Sequence, residues 1–329
     1  MKAKFRILCS ILLLTLIGIS GNSCENRGIL ARINRDGMDF KVLRNINITN
    51  DFLYGESSDF HGHCAMPTER VLLRFSSYFE IIDFQGRLRY TKNGWLKNTP
   101  VISRDGNYGF HGQHKFFLND DPAQEKVIPD EVFSGRNLMN VSDDNRYWCL
   151  LRYSGSTSPE VLIWDDQNQN HQTLTIENAD YNTRALFAAS KGKIYYNRMG
   201  SIYAINPDGS GWHSILMGQS TWQYTVSRLI ESENILLFNE RTTGLNSLCK
   251  MDLDTHEVQV LADDVVSYDY APYSKELYYI ANSTVWCYNL ESGLRRRVYQ
   301  GKKHSFDLSH GIACSWDGDY LFLAGKVPK

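Results

Sequence analysis

Residues Gly28–Leu43 read GILARINRDGMDFKVL, and Gly200–Leu216 read GSIYAINPDGSGWHSIL. A shift of 172 positions lays Gly28 on Gly200, Ile33-Asn34 on Ile205-Asn206, Asp36-Gly37 on Asp208-Gly209 and Phe40 on Trp212. Self-similarity at a fixed shift marks a repeat architecture. The core of the repeat is an apolar residue followed by Asn, Asp or Glu, just before a turn. It recurs as Ile33-Asn34, Ile82-Asp83, Leu118-Asn119, Trp164-Asp165, Ile205-Asn206, Leu253-Asp254 and Leu290-Glu291, about 43 residues apart on average. A second marker alternates with the first: a polar turn that leads into an apolar, aromatic-rich run. Ser103-Arg104-Asp105-Gly106, Ser142-Asp143-Asp144-Asn145 and Ser315-Trp316-Asp317-Gly318 carry it most clearly, and looser copies begin at Thr68, Ser190, Ser232 and Ser274.

Each unit therefore holds two turns and four short strands. Asp-Gly and Asn-Gly turns tolerate positive φ and favour tight hairpins. Runs such as KIYY and ELYYI are β-branched and aromatic, which suits a pleated surface. No long segment after the first 24 residues keeps a 3.6-residue period, so the expected class is all-β. Four strands in roughly 40–45 residues make one blade of a β-propeller. The expectation is a seven-bladed β-propeller, with six or eight blades as the alternatives. The markers also predict closure. Gly28–Leu43 is the second half of a unit and SWDGDYLFLAGK, near the other end, is the first half of one. Pairing N-terminal outer strands with C-terminal inner strands completes a blade and hides two edges that invite aggregation.

The turns SRDGNYGF and SWDGDYLFLAG resemble the repeats of TolB-type propellers, and GSIYAINPDGSG resembles the outer hairpin of bacterial secreted propellers of that group and, more faintly, of the YWTD class. The likeness covers nearly the whole chain beyond its first residues. It implies the scaffold and carries over no catalytic residue.

The first residues have another composition. Lys2, Lys4 and Arg6 precede the apolar run Ile7–Ser20, which is too short for the roughly 20 residues of a membrane span. This is the pattern of a secretory signal. Two processing routes stand open: cleavage after small residues such as Gly18 and Ser20, or lipidation of Cys24, since Gly21-Asn22-Ser23-Cys24 resembles the end of a bacterial lipoprotein signal. The expected organisation is a signal peptide over 1–23 and a single propeller over 24–329, placed outside the cytoplasm. The destination is the bacterial cell envelope if lipidated, or the medium if cleaved, with membrane contact only through the lipid. A formal charge of −2, from 35 basic and 37 acidic side chains, gives no pull toward nucleic acid. The cysteines beyond Cys24 show no zinc-ribbon spacing and read as small buried hydrophobes.

The chemistry-bearing residues gather in the long inter-blade loops Arg44–Pro67, Ile128–Asn140 and Gly301–Ala313, and at one hairpin. His61 and His63 lie in FHGHC, His111, Gln113 and His114 in FHGQH, and His304 and His310 in KHSFDLSHG. These residues are the expected ligand-binding set. His-x-His and His-x-x-His spacings suit zinc or a similar divalent ion, with ligand bonds of about 2.0–2.1 Å. His63, His111, His114 and His310 are the expected metal ligands. The competing reading has them forming ordinary loop hydrogen bonds. Tyr78, Phe79, Trp95, Tyr108, Phe110, Trp222 and Tyr224 are either sugar-stacking platforms or blade-packing core. Asp143-Asp144 and Asp165-Asp166 read as turn caps.

Two functions follow. The first is a binding or scaffold module for a protein or carbohydrate ligand, which needs no cofactor. The second is a metal-dependent polysaccharide lyase or hydrolase that uses the histidines with zinc or manganese. A propeller with grouped His and Gln is similar at the level of fold to the oligogalacturonide lyases, in which such residues hold a divalent metal. Whether the protein is an enzyme stays open at this point.

Overall fold

The computed structural model describes residues 27–47, 65–66, 70–74, 78–93, 101–102, 108–111, 114–117, 125–127, 135–153, 158–179, 182–221, 223–304, 307–315 and 317–326. For the strands between 65 and 79 and between 101 and 127, only backbone placement and pairing are described. These residues are almost wholly strand and turn, and every sheet is four-stranded and antiparallel. Seven such sheets are described. Sheet 1 takes Arg27–Asn34 and Lys41–Asn47 from one end of the chain and Asp307–Cys314 and Tyr320–Lys326 from the other. Sheets 2 to 7 follow in chain order within 65–93, 101–127, 136–175, 185–216, 224–262 and 265–300. Each of these six is a simple meander, with its first and fourth strands at the edges.

Burial explains why such sheets need neighbours. The second strand of sheet 5, Lys193–Arg198, is buried through its four central residues, and Glu276–Ala281 of sheet 7 is buried throughout. A strand covered on both faces reads as a continuous apolar run, as KIYY and ELYYI do. The fourth strand is different: Asn170–Thr175 is exposed along nearly its whole length. Among the described residues, apolar clusters join sheet 1 to sheet 2 through Leu30, Phe322 and Ile82, sheet 4 to sheet 5 through Cys149 and Phe187, and sheet 5 to sheet 6 through Leu186 and Phe238. Others join sheet 6 to sheet 7 through Leu237 and Tyr279, and sheet 7 to sheet 1 through Tyr278 and Leu323. The first strands of sheets 3 and 4 also lie against each other.

The two chain ends meet as the markers predict. Arg27–Asn34 pairs antiparallel with Tyr320–Lys326, from Gly28 opposite Lys326 to Asn34 opposite Tyr320. The hairpin at 35–40 also grips sheet 7. Arg35 pairs with Glu276 at 2.7 Å, and Arg296 donates to the Arg35 carbonyl oxygen.

The turn markers act as caps. Ser142 Oγ accepts from Tyr147 N and donates to Asp144; Ser315 Oγ accepts from Tyr320 N and donates to Asp317. At the other hairpin, Asp83 Oδ1 accepts from the backbone N–H of Gln85 and Arg87, and Asp165 Oδ1 from Gln167 and Asn168. Two expected copies are displaced by two residues. The capping groups in sheets 6 and 7 are Asp252 and Asn289, not Asp254 and Glu291. Leu118-Asn119 lies outside the described residues.

Candidate functional site

The expected site residues divide by position. His61, His63 and Gln113 lie outside the described residues. His111 ends the second strand of sheet 3 and His114 begins its third, and the two are paired across the hairpin. His304 closes a short 3-10 turn, Gly301–His304. His310 stands on the strand Asp307–Cys314, so the expected loop Gly301–Ala313 is corrected: its second half is sheet. The pairing of this strand is irregular between Asp307 and Gly311, which interrupts the alternation that a sequence pattern detects. Likewise the expected loop Ile128–Asn140 ends in the strand Arg136–Val141. The side chains of His111, His114, His304 and His310 lie outside the described residues, so the metal set is a matter of position along the chain. Of the seven aromatic residues, only Tyr224 has a described side chain. It is buried and packs edge-on against Phe238, as core.

What the structure does place is a set of polar straps along the first strands. Five strands, the first of sheets 4 to 7 and the corresponding edge strand Asp307–Cys314 of sheet 1, turn into the next strand through four intervening residues, after Ser142, Ala188, Ile230, Ala271 and Ser315. Two positions before that point stand Asn140, Leu186, Arg228, Asp269 and Ala313. Asn140 bonds both backbone groups of Phe187 in the next sheet, accepting from its N–H at 2.9 Å and donating to its carbonyl at 3.0 Å. Asp269 does the equivalent to the next first strand, accepting from Cys314 N at 3.0 Å. Arg228, at the same position one sheet earlier, pairs with Asp269 at 2.6 Å. Sequence reasoning missed these three residues. Asn140 and Arg228 each follow a register irregularity, which re-aims a side chain and breaks periodicity. Their constant offset from the turn is the signal that could have found them.

The electrostatics of the buried and paired groups follow from their surroundings. Burial raises the Asp269 carboxyl, and Arg228 opposes that rise. The hydrogen bond from Arg146 holds Asp165 down to about 2, against burial and with help from Asn168. Burial also pushes the Cys249 and Cys287 thiols to about 12. Cys149, Cys249, Cys287 and Cys314 are buried, as expected for small hydrophobes. Asp143 accepts from Ser232 N, so its turn is tied to one two sheets away. Among the described residues no group of three or more His, Cys, Asp or Glu side chains is placed to hold a metal ion. Among them, too, no helix is long and apolar enough to cross a membrane.

No protein-family model matches the chain. A comparison with the curated proteins also finds no match. Solved structures do match. An oligogalacturonate lyase in complex with manganese is 11% identical, with a TM-score of 0.55 over 83% of this chain and 90% of that one. An oligogalacturonate lyase from Vibrio parahaemolyticus is 9% identical, with a TM-score of 0.51 over the same shares, 83% and 90%. A putative TolB from Agrobacterium tumefaciens is 11% identical, with a TM-score of 0.42 over 92% of this chain and 99% of that one. The chain has the β-propeller scaffold that the lyases share. At these identities the likeness is one of fold.

Proposed function

We propose that the chain is a single seven-bladed propeller that acts outside the cytoplasm as a binding or scaffold module for a protein or glycan. The blade count rests on the seven described sheets and on the sheet built from both ends. The observation that carries the function is how the turn-side polar groups are used. Asp83, Asp144, Asp165, Asp252, Asn289 and Asp317 are engaged in capping their own turns. In a propeller the connections between blades, and those between a blade's second and third strands, share the opposite side; the sequence assigns its long connections and six of its nine histidines to these segments, and we read that side as the one that varies from blade to blade. Loops of this kind, held by a rigid scaffold, commonly carry recognition. The test is a glycan and peptide binding screen with the purified chain, repeated after His61, His63, His111 and His114 are each changed to Ala. Retention of a captured ligand by all four variants would count against a loop-side site.

The second reading is a metal-dependent lyase or hydrolase that works on a polysaccharide at the same side. It is favoured by the manganese complex of the structurally similar oligogalacturonate lyase. His63, His111, His114 and His310 would hold the ion, which would stabilise charge that builds on the substrate. Incubation with polygalacturonate and manganese, followed by assay for unsaturated products, separates the two readings. Turnover abolished by chelation supports the second.

A further inference from the structure

Three histidines remain outside the loop-side group, and all three have described side chains: His171, His213 and His256. His171 lies against Trp164 within its own sheet, at 6.4 Å between ring centres. The other two meet across a sheet boundary. His213 begins the fourth strand of sheet 5, His213–Leu216. His256 sits in the last turn of sheet 6, where its backbone N–H donates to Asp252 O at 3.0 Å and its φ is 59°. Their ring centres are 6.0 Å apart and the planes are tilted by 33°.

The hydrogen bond on His213 selects its tautomer. Nδ1 stands 2.9 Å from the carbonyl oxygen of Gly211. A carbonyl only accepts, so Nδ1 carries the proton and Nε2 keeps its lone pair. An imidazole that donates one N–H to a backbone carbonyl while offering the other nitrogen is the arrangement that orients a metal ligand. The His256 ring has His213 as its described neighbour. Bonds of about 2.0–2.1 Å to one ion put two imidazole centres roughly 5 Å apart. The rings would close by about 1 Å, a small adjustment for two half-buried side chains.

We propose that His213 and His256 form a two-imidazole site for a borderline divalent transition metal, bridging sheets 5 and 6. Water or a ligand from solution completes the shell. Nitrogen donors of this kind favour copper over nickel and zinc. The site lies on the turn side of the scaffold, so it does not depend on the function proposed above.

The test is a titration of the metal-free full chain with Cu(II), read by bound equivalents and by the nitrogen splitting in its electron paramagnetic resonance spectrum. Trp212, next to His213 and 53% exposed, adds a fluorescence readout, because bound copper quenches a nearby indole. Expected is that one equivalent with two nitrogens is lost in both His213→Asn and His256→Asn, whatever copper the loop-side histidines take, while His171→Asn keeps it. Affinity at this site falls on the order of tenfold or more when either imidazole bond is lost. Unchanged equivalents and splitting in both variants overturn the proposal. So does loss in only one of them, because a single histidine then holds the ion. Thermal unfolding of each variant shows that it is folded.

Discussion

Asn140 and Asp269 do the same work from the same position: each side chain takes the place of a backbone partner for the neighbouring first strand. Their replacements should differ in cost. Asn140→Ala leaves the N–H and carbonyl of Phe187 without these bonds, a loss of about 1–3 kcal/mol. Asp269→Ala also strips Arg228 of its carboxylate, and breaking a buried pair on one side costs about 3–5 kcal/mol. Urea unfolding of both variants checks the order; an Asn140 variant as weak as the Asp269 variant would contradict it. Asp165 makes a prediction in pH. Its carboxyl titrates near 3.8 in an ordinary setting and at about 2 here, held by Arg146. The folded state therefore binds this proton less readily than the unfolded chain does. Its contribution is present above about pH 4 and is lost as pH falls through 3.8 toward 2. The stability difference between wild type and Asp165→Asn, followed by thermal unfolding, should shrink over that window. Asp269 has the opposite sign: its raised value means that ionisation costs the fold something as pH rises above 3.8.

At the scale of the hairpin, the duplicated stretch gives a controlled comparison. Gly37 and Gly209 are equivalent under the 172-residue shift, and both take positive φ, +73° and +84°. A Cβ on Gly209 would meet Leu174 at 3.4 Å, an ordinary contact, whereas one on Gly37 would come within 1.8 Å of the Val298 carbonyl oxygen. Gly209→Ala should cost about 1–2 kcal/mol of backbone strain. Gly37→Ala should cost clearly more, because sheet 1 must also separate from sheet 7. Melting temperatures of the two variants decide it. The same turns show what a sequence can reveal. Asp83, Asp165 and Ser142 were legible because their side chains bond backbone within four residues or so, and local chemistry leaves a local pattern. Leu253-Asp254 and Leu290-Glu291 misled because an acidic or polar residue lies on both sides of the leucine; only the hydrogen bonds single out Asp252 and Asn289. Arg228 and Asp269 were not legible, since they are 41 residues apart and belong together only once two sheets stack. The histidine group was visible as a set of loop positions, and no local rule tells whether such loops converge.

For the whole molecule, the decisive junction is sheet 1, where one half is held by pairing and packing with no covalent connection to the other. Strand Arg27–Asn34 covers the edge of Tyr320–Lys326, and Leu30 and Ile33 are fully buried. A chain begun at residue 48 would lose two strands of this sheet. It would expose the backbone donors and acceptors of Tyr320–Lys326 on an edge where Leu321, Phe322 and Leu323 are buried in the intact protein. Such an edge pairs with other chains. The loss also reaches sheet 7, because Arg35 leaves Glu276 and Phe40 leaves its stacked partner Tyr299. The truncated chain should therefore self-associate and lose its sharp unfolding transition, and a synthetic peptide of residues 27–47 should restore both. Light scattering and calorimetry with and without the peptide provide the measurement. A truncated chain that stays monomeric and melts like the intact protein would mean that the remaining sheets hold together without the clasp. The protein would then owe its stability to stacking between neighbours alone, as in an open array of repeats.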